Sequence, residues 1–285
     1  GADISSSRWI ARASMIVEEK YSPTLSLISL PHLDYCLQKF GHDETRIASH
    51  LSDIDSLVAE LVHFYQKRQA HIVLLSEYGI TPVERPVHLN RLLREKGFIQ
   101  VRTERGLELL DPGASRAFAV ADHQIAHIYL NDPSIAGEVA ALLKNTPGVE
   151  KVLDAEGKRI CGLDHDRSGD LVAVADAESW FTYYYWLDDA RAPDFARLVE
   201  IHRKPGYDPV EIFMTSKLRA AYRLLRKKLG FRYLMDVVPL DATLIKGSHG
   251  RTGTSSGDHP VLITEKALDR NSLEATDVHG VIWKL

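Results

Sequence analysis

Cysteine is scarce in this chain: Cys36 and Cys161 are the only two in 285 residues. Two cysteines cannot build a disulfide framework; they suit a reducing compartment, and a cytoplasmic location is expected. Long apolar runs are missing as well. None approaches the ~20 residues that a membrane-crossing helix needs, so no membrane partner is expected. The formal net charge is −4 and there is no long basic block, which disfavours nucleic-acid polymers as partners. No internal repeat is found. The chain opens at Gly1 rather than Met, from which a removed or omitted leading segment is expected. What is present is ordinary for a globular protein: 45% hydrophobic and 26% charged residues. The length suits one large α/β domain, or one domain carrying an inserted cap.

The densest apolar stretch is His71-Ile72-Val73-Leu74-Leu75, running into Ser76-Glu77-Tyr78-Gly79. It reads as a buried strand, 71–76, ending in a tight turn. A second apolar or small run, 24–30, precedes Pro31-His32-Leu33-Asp34. Between them, Ile47, Leu51, Ile54, Val58, Leu61 and Tyr65 recur at steps of four and three, one face of a long helix over 45–69. Strand, helix and strand predict a right-handed crossover between parallel strands. Asp34 and Glu77 would then share the edge where open α/β sheets bind ligands. The expected fold is therefore α/β, a mostly parallel sheet flanked by helices.

Elsewhere the pattern predicts helices at 5–20, 88–96, 133–144 and 218–229. Short strands are expected at 98–103, 107–110, 117–120, 125–130, 149–153, 171–175, 180–186 and 260–264. Turns are marked by Arg105-Gly106 and Asp111-Pro112-Gly113. The strand-rich stretch 98–210 reads as an inserted cap within a single domain, 1–285. The loop at 188–209 is long and polar, and a Gly/Ser/Thr-rich loop runs to Gly257.

Several groups could carry chemistry. Asp34 and Glu77, hard carboxylates on one edge, could share a divalent cation; alternatively they cap helices or pair with arginines. His249, between glycines in Gly247-Ser248-His249-Gly250, is either a ligand or a loop histidine. His123 and His127 stand four apart, but on a strand that spacing spans ~13 Å, so they would not share one ion. Core or pocket histidines are the plainer reading, with His123, beside Asp122, a candidate substrate contact. The loop carrying His202, Arg203 and Lys204 suits an anionic group such as phosphate, with a solvated loop as the alternative. The basic cluster Arg223, Arg226, Lys227, Lys228 reads as a wet helix face, and the aromatic run 180–186 as core.

Three stretches carry a resemblance: Leu30-Pro31-His32-Leu33-Asp34-Tyr35-Cys36-Leu37-Gln38, then Ser76-Glu77-Tyr78-Gly79-Ile80, then Gly247-Ser248-His249-Gly250. Their order resembles the alkaline phosphatase superfamily and, within it, the nucleotide pyrophosphatase/type I phosphodiesterase branch. Phrases such as Ala119-Val120-Ala121-Asp122-His123-Gln124 narrow the likeness to bacterial members, and it extends over nearly the whole chain. It implies an alkaline phosphatase-like fold and a divalent metal cofactor. In that branch an Asp and a His four residues later bind one zinc; Asp34 matches the first, and Gln38 stands in place of the second. An Asp-His pair binds the second zinc, where Glu77 and Tyr78 stand. A later His before Gly joins the first zinc, matched by His249. Such an oxygen-rich set suits a harder ion such as Mn²⁺ or Mg²⁺ better than two zincs. The branch's Thr or Ser nucleophile and a further metal-binding Asp precede the region matched here, so no catalytic nucleophile is assigned.

The resemblance implies a metal-dependent hydrolase of phosphate esters acting on a phosphorylated small molecule, with Asp34, Glu77, His249, Gln38 and Tyr78 around metal and His123, His202, Arg203 and Lys204 toward substrate. The alternative is a non-catalytic binding module on the same fold, serving a biosynthetic pathway.

Overall fold

The computed structural model describes residues 3–252, 256–270 and 272–284. The chain divides into two compact units, residues 1–81 with 252–285, and residues 82–251. The expected cap stretch, 98–210, lies inside the second.

The first unit is built on three helices, Ile4–Tyr21, His32–Phe40 and Glu44–Gln66. Asp3 and Asp43 cap the first and third by accepting from backbone N–H groups of the opening turn. Ala11, Leu57, Leu61 and Tyr65 form the buried centre, with Ile28, Leu30, Ile54 and Ile72 packed against it. The periodicity of the long helix is thus confirmed, although Leu51 is exposed and Leu57 takes its place inside.

The crossover expected from the sequence is not what these residues form. Residues 24–30 enter no strand ladder among the described residues, and Val73–Leu75 pairs antiparallel with Leu262–Thr264 instead. The apolar character of 24–30 has a different cause, since Ile28 and Leu30 bury against helices without strand pairing. Asp34 accordingly sits in the first turn of His32–Phe40, not at a strand end. Proline disfavours a helix interior but not its start, and Pro31 occupies the cap position of this helix.

The second unit holds a four-stranded sheet in the order Ala117–Asp122, Ile125–Leu130, Leu171–Ala175, Val149–Leu153, antiparallel throughout. Gln100–Glu104 and Leu107–Asp111 make a hairpin whose turn residues, Arg105 and Gly106, both have left-handed backbone (φ 53° and 82°), as tight hairpins require. Arg85–Val87 and Ser179–Phe181 pair in parallel. The fold is α/β with small, mixed sheets, and the mostly parallel sheet expected from the sequence is not seen among the described residues. Trp180, Phe181, Tyr183, Tyr184, Tyr185 and Trp186 are all fully buried, so the aromatic run is core, as its composition suggested. Helix Ala155–Ile160 was not anticipated, and the Gly/Ser/Thr-rich loop runs through 253–255, outside the described residues. No helix among the described residues is long and apolar enough to cross a membrane.

Candidate functional site

In the first unit Asp34, Gln38 and Tyr78 come together. Asp34 and Gln38 are four apart on one helix and therefore share a face. The Gln38 Nε2 donates to Asp34 Oδ1 and Oδ2, both at 3.0 Å, and Tyr78 OH donates to Oδ1 at 3.2 Å. Gln38 is buried, and its Oε1 has no hydrogen-bond partner among the described residues. Glu77 is exposed. Nearby, His50 Nδ1 and His32 Nε2 lie 3.1 Å apart; burial, then the neighbouring His50, lowers the pKa of His32.

In the second unit the centre is the hairpin turn between Ala117–Asp122 and Ile125–Leu130, which carries His123. His123 has left-handed backbone, φ 55°, an uncommon state for a residue other than glycine. Three contacts hold it there. Its Nδ1 lies 2.6 Å from Asp122 Oδ1, its carbonyl accepts from Phe181 N at 2.7 Å, and its ring stacks on Tyr207 with centroids 4.9 Å apart. His249 packs against the same ring at 3.8 Å, and its carbonyl accepts from Gln124 N. The hydrogen bond from His123 holds the Asp122 carboxyl below the usual carboxylate range. Burial, reinforced by His123, pushes His249 down to about 4, so its imidazole is neutral at pH 7. His123 Nε2 is buried without a hydrogen-bond partner among the described residues. The pairing of Asp122 with His123 was visible in sequence as adjacent letters, whereas the stacking of Tyr207 and His249 on that ring was not. His127 lies apart, its Nδ1 accepting from Gly169 N at 3.1 Å.

The loop residues divide. His202 is exposed, and its backbone N–H donates to Glu200. Arg203 pairs with Asp194 at 3.0 Å and lies over the Phe195 ring. Lys204 is buried: its ammonium meets Asp208 at 2.7 Å, Glu211 at 2.6 Å and the Leu198 carbonyl at 3.0 Å. Those three acceptors match its three donors, so its charge is satisfied inside the fold.

The fit to a metal can be judged from these donors. Around Asp34 stand an amide N–H and a phenol O–H, both donors to the carboxylate, where an ion would need lone pairs. The two imidazoles at the hairpin are packed ring against ring, with centroids 3.8 Å apart and planes 30° from parallel. Among the described residues no three His, Cys, Asp or Glu side chains form a group able to hold a metal ion. The donor set present does not fit the cofactor that the resemblance implies.

The model of one family, type I phosphodiesterase/nucleotide pyrophosphatase, matches residues 2–208. The chain belongs to this family. This phosphodiesterase-family chain is similar, at low identity, to several solved structures. One is a phosphonoacetate hydrolase from Sinorhizobium meliloti 1021 in complex with phosphonoacetate, 22% identical over 63% of this chain and 43% of that one, with a TM-score of 0.46. Another is murine ectonucleotide pyrophosphatase/phosphodiesterase 5, 17% identical over 79% of this chain and 59% of that one, with a TM-score of 0.45. The phosphodiesterase-family chain thus spans about half the length of these structures. No curated protein matches it.

Proposed function

We propose that the protein to which this chain belongs hydrolyses phosphate esters of a small phosphorylated molecule. The observation that carries this reading is the family match over residues 2–208. Net hydrolysis breaks one P–O ester bond and adds water, and no side chain of this chain is assigned the nucleophile. His123, buried and oriented by Asp122, is the group best prepared to meet substrate, since an imidazole whose Nδ1 is tied to a carboxylate keeps Nε2 for another partner. His202 and Arg203 add polar and positive character to an exposed loop suited to an anionic ester.

A second reading, a non-catalytic binding module on the same fold, has one observation in its favour. Asp34 is closed off by Gln38 and Tyr78, the residues that stand where the resemblance puts histidine ligands. Turnover of bis(p-nitrophenyl) phosphate by the whole protein separates the two. Hydrolysis in the presence of Zn²⁺, Mn²⁺ or Mg²⁺, lowered at least ~100-fold by His123→Ala, is expected for an enzyme that uses this histidine in proton transfer. No turnover with any of the three ions, combined with retained binding of a phosphate ester, would select the module.

A further inference from the structure

Helix Lys217–Lys228 carries its amphipathic pattern turned outward. None of its residues is buried. At 3.6 residues per turn, Leu218, Tyr222, Leu225 and the adjoining Leu229 fall on one narrow stripe. In a helix held by hydrophobic packing such a stripe faces the core. Here those four side chains are 83%, 55%, 54% and 63% exposed. The opposite side is the tethered one, and it is held by charge: Arg219 and Arg223 both bond the Asp236 carboxylate, Arg223 through hydrogen bonds of 2.6 and 2.7 Å. Arg226 donates to the carbonyl of Arg232 at 3.2 Å, and exposed Phe231 continues the apolar surface past the helix end.

The charge around the stripe is one-sided. Residues 213–235 contain seven Lys and Arg and no Asp or Glu, in a chain whose net charge is −4. Lys217 and Lys228 border the stripe on one side, Arg219 and Arg226 on the other. A second copy of this chain is a poor occupant, because two such faces would bring like charges together. An occupant must be apolar where it meets the leucines and negative at both margins. The headgroup boundary of an anionic bilayer has that order of layers.

We propose that helix Lys217–Lys228 is an interfacial anchor that binds the protein to the surface of an anionic lipid bilayer. The stripe enters the headgroup–acyl boundary, and flanking Lys217 and Lys228 meet lipid phosphates. The sequence-based expectation of no membrane partner rested on the lack of a crossing segment, which does not bear on surface binding.

Flotation of the whole protein with vesicles tests this. It is expected to float with vesicles of phosphatidylcholine mixed with phosphatidylserine, to stay behind with phosphatidylcholine alone, and to be released by added salt. Lys217→Glu/Lys228→Glu should lower the partition coefficient roughly tenfold or more, since each basic side chain near an anionic surface contributes ~1 kcal/mol. Leu218→Glu/Leu225→Glu should also abolish flotation, with unchanged circular dichroism because both sites are exposed. Equal partition onto both vesicle types, no partition onto either, or variants that bind like the parent would overturn the proposal. Concentration-dependent self-association lost in Leu218→Glu/Leu225→Glu, without flotation, would instead assign the stripe to a second copy. Binding to polyglutamate that equals binding to vesicles and ignores the leucine changes would assign the helix to an acidic protein.

Discussion

The Asp34 carboxylate receives two contacts from Gln38 and one from Tyr78, all from groups that donate hydrogen. A cation in that place would compete with two donor groups and find one charged ligand. Imidazole differs from amide and phenol in offering a nitrogen lone pair at neutral pH, the donor zinc prefers. Gln38→His/Tyr78→His would put two such nitrogens beside Asp34. The expected outcome is zinc content rising from well below one to about one per chain, three protein ligands being enough for an open tetrahedral site. Elemental mass spectrometry after dialysis reads it, and Asp34→Ala in that background should return it to baseline. No rise would show that the three positions do not converge closely enough to share an ion. At this scale the sequence was informative about which residues meet and misleading about how. The strand-edge argument joined Asp34 to Glu77, which is exposed, and the resemblance supplied Gln38 and Tyr78; Asp34 and Gln38 meet instead as helix neighbours. The satisfied burial of Lys204 was not legible, because its acceptors Asp208 and Glu211 show a role only once the loop is folded around them.

Among the elements, hydrophobic period and turn residues were reliable where one face alone is buried. Helix Glu44–Gln66 and the Arg105-Gly106 hairpin are examples. They failed at 24–30, where an apolar run without partners in sequence can equally bury against helices. The docking of the loop at 204–208 onto the hairpin was also hidden, although glycine marks the spot. Gly206 has φ 118° and forms an isolated parallel bridge with Ala121, and Tyr207 N donates to the Ala121 carbonyl at 2.9 Å. A Cβ at 206 would stand 2.2 Å from that carbonyl oxygen, inside any tolerable contact. Gly206→Ala is therefore expected to cost roughly 2–4 kcal/mol, strain and clash together, in urea unfolding. Gly162→Ala is the control: φ is 67° and nothing lies within 4 Å of the new Cβ, so only the ~1 kcal/mol of left-handed strain applies. Equal losses at the two sites would mean that the loop yields and that the close approach to Ala121 does not hold Tyr207 against His123.

For the molecule as a whole, the family was legible because its motifs lie at turns and element ends in both units, while the arrangement of small mixed sheets was not, since strand pairing is a long-range choice. The acid response of the whole fold draws on histidines that burial keeps neutral, His32 and His127 among them and His88 and His249 most strongly. His88 is bonded to Thr182 Oγ1 at 2.7 Å and stacked on Tyr184; burial, then Arg91, lowers it to about 4, the same value that burial gives His249. Between pH 6.5, the ordinary histidine value, and about 4 the unfolded chain binds protons that the folded chain refuses. Stability must then rise with pH across that window, be complete above 6.5, and be lost as pH falls toward 4. Each histidine contributes at most roughly 3 kcal/mol, less whatever solvent screens from these half-buried rings. Urea unfolding at several pH values should show this slope, and His88→Gln, neutral throughout and able to bond Thr182, should remove the His88 share of it while leaving stability near pH 7 almost unchanged. A slope untouched by that change would place the proton uptake of unfolding elsewhere, and the stacking of His88 on Tyr184 would then have no part in acid sensitivity.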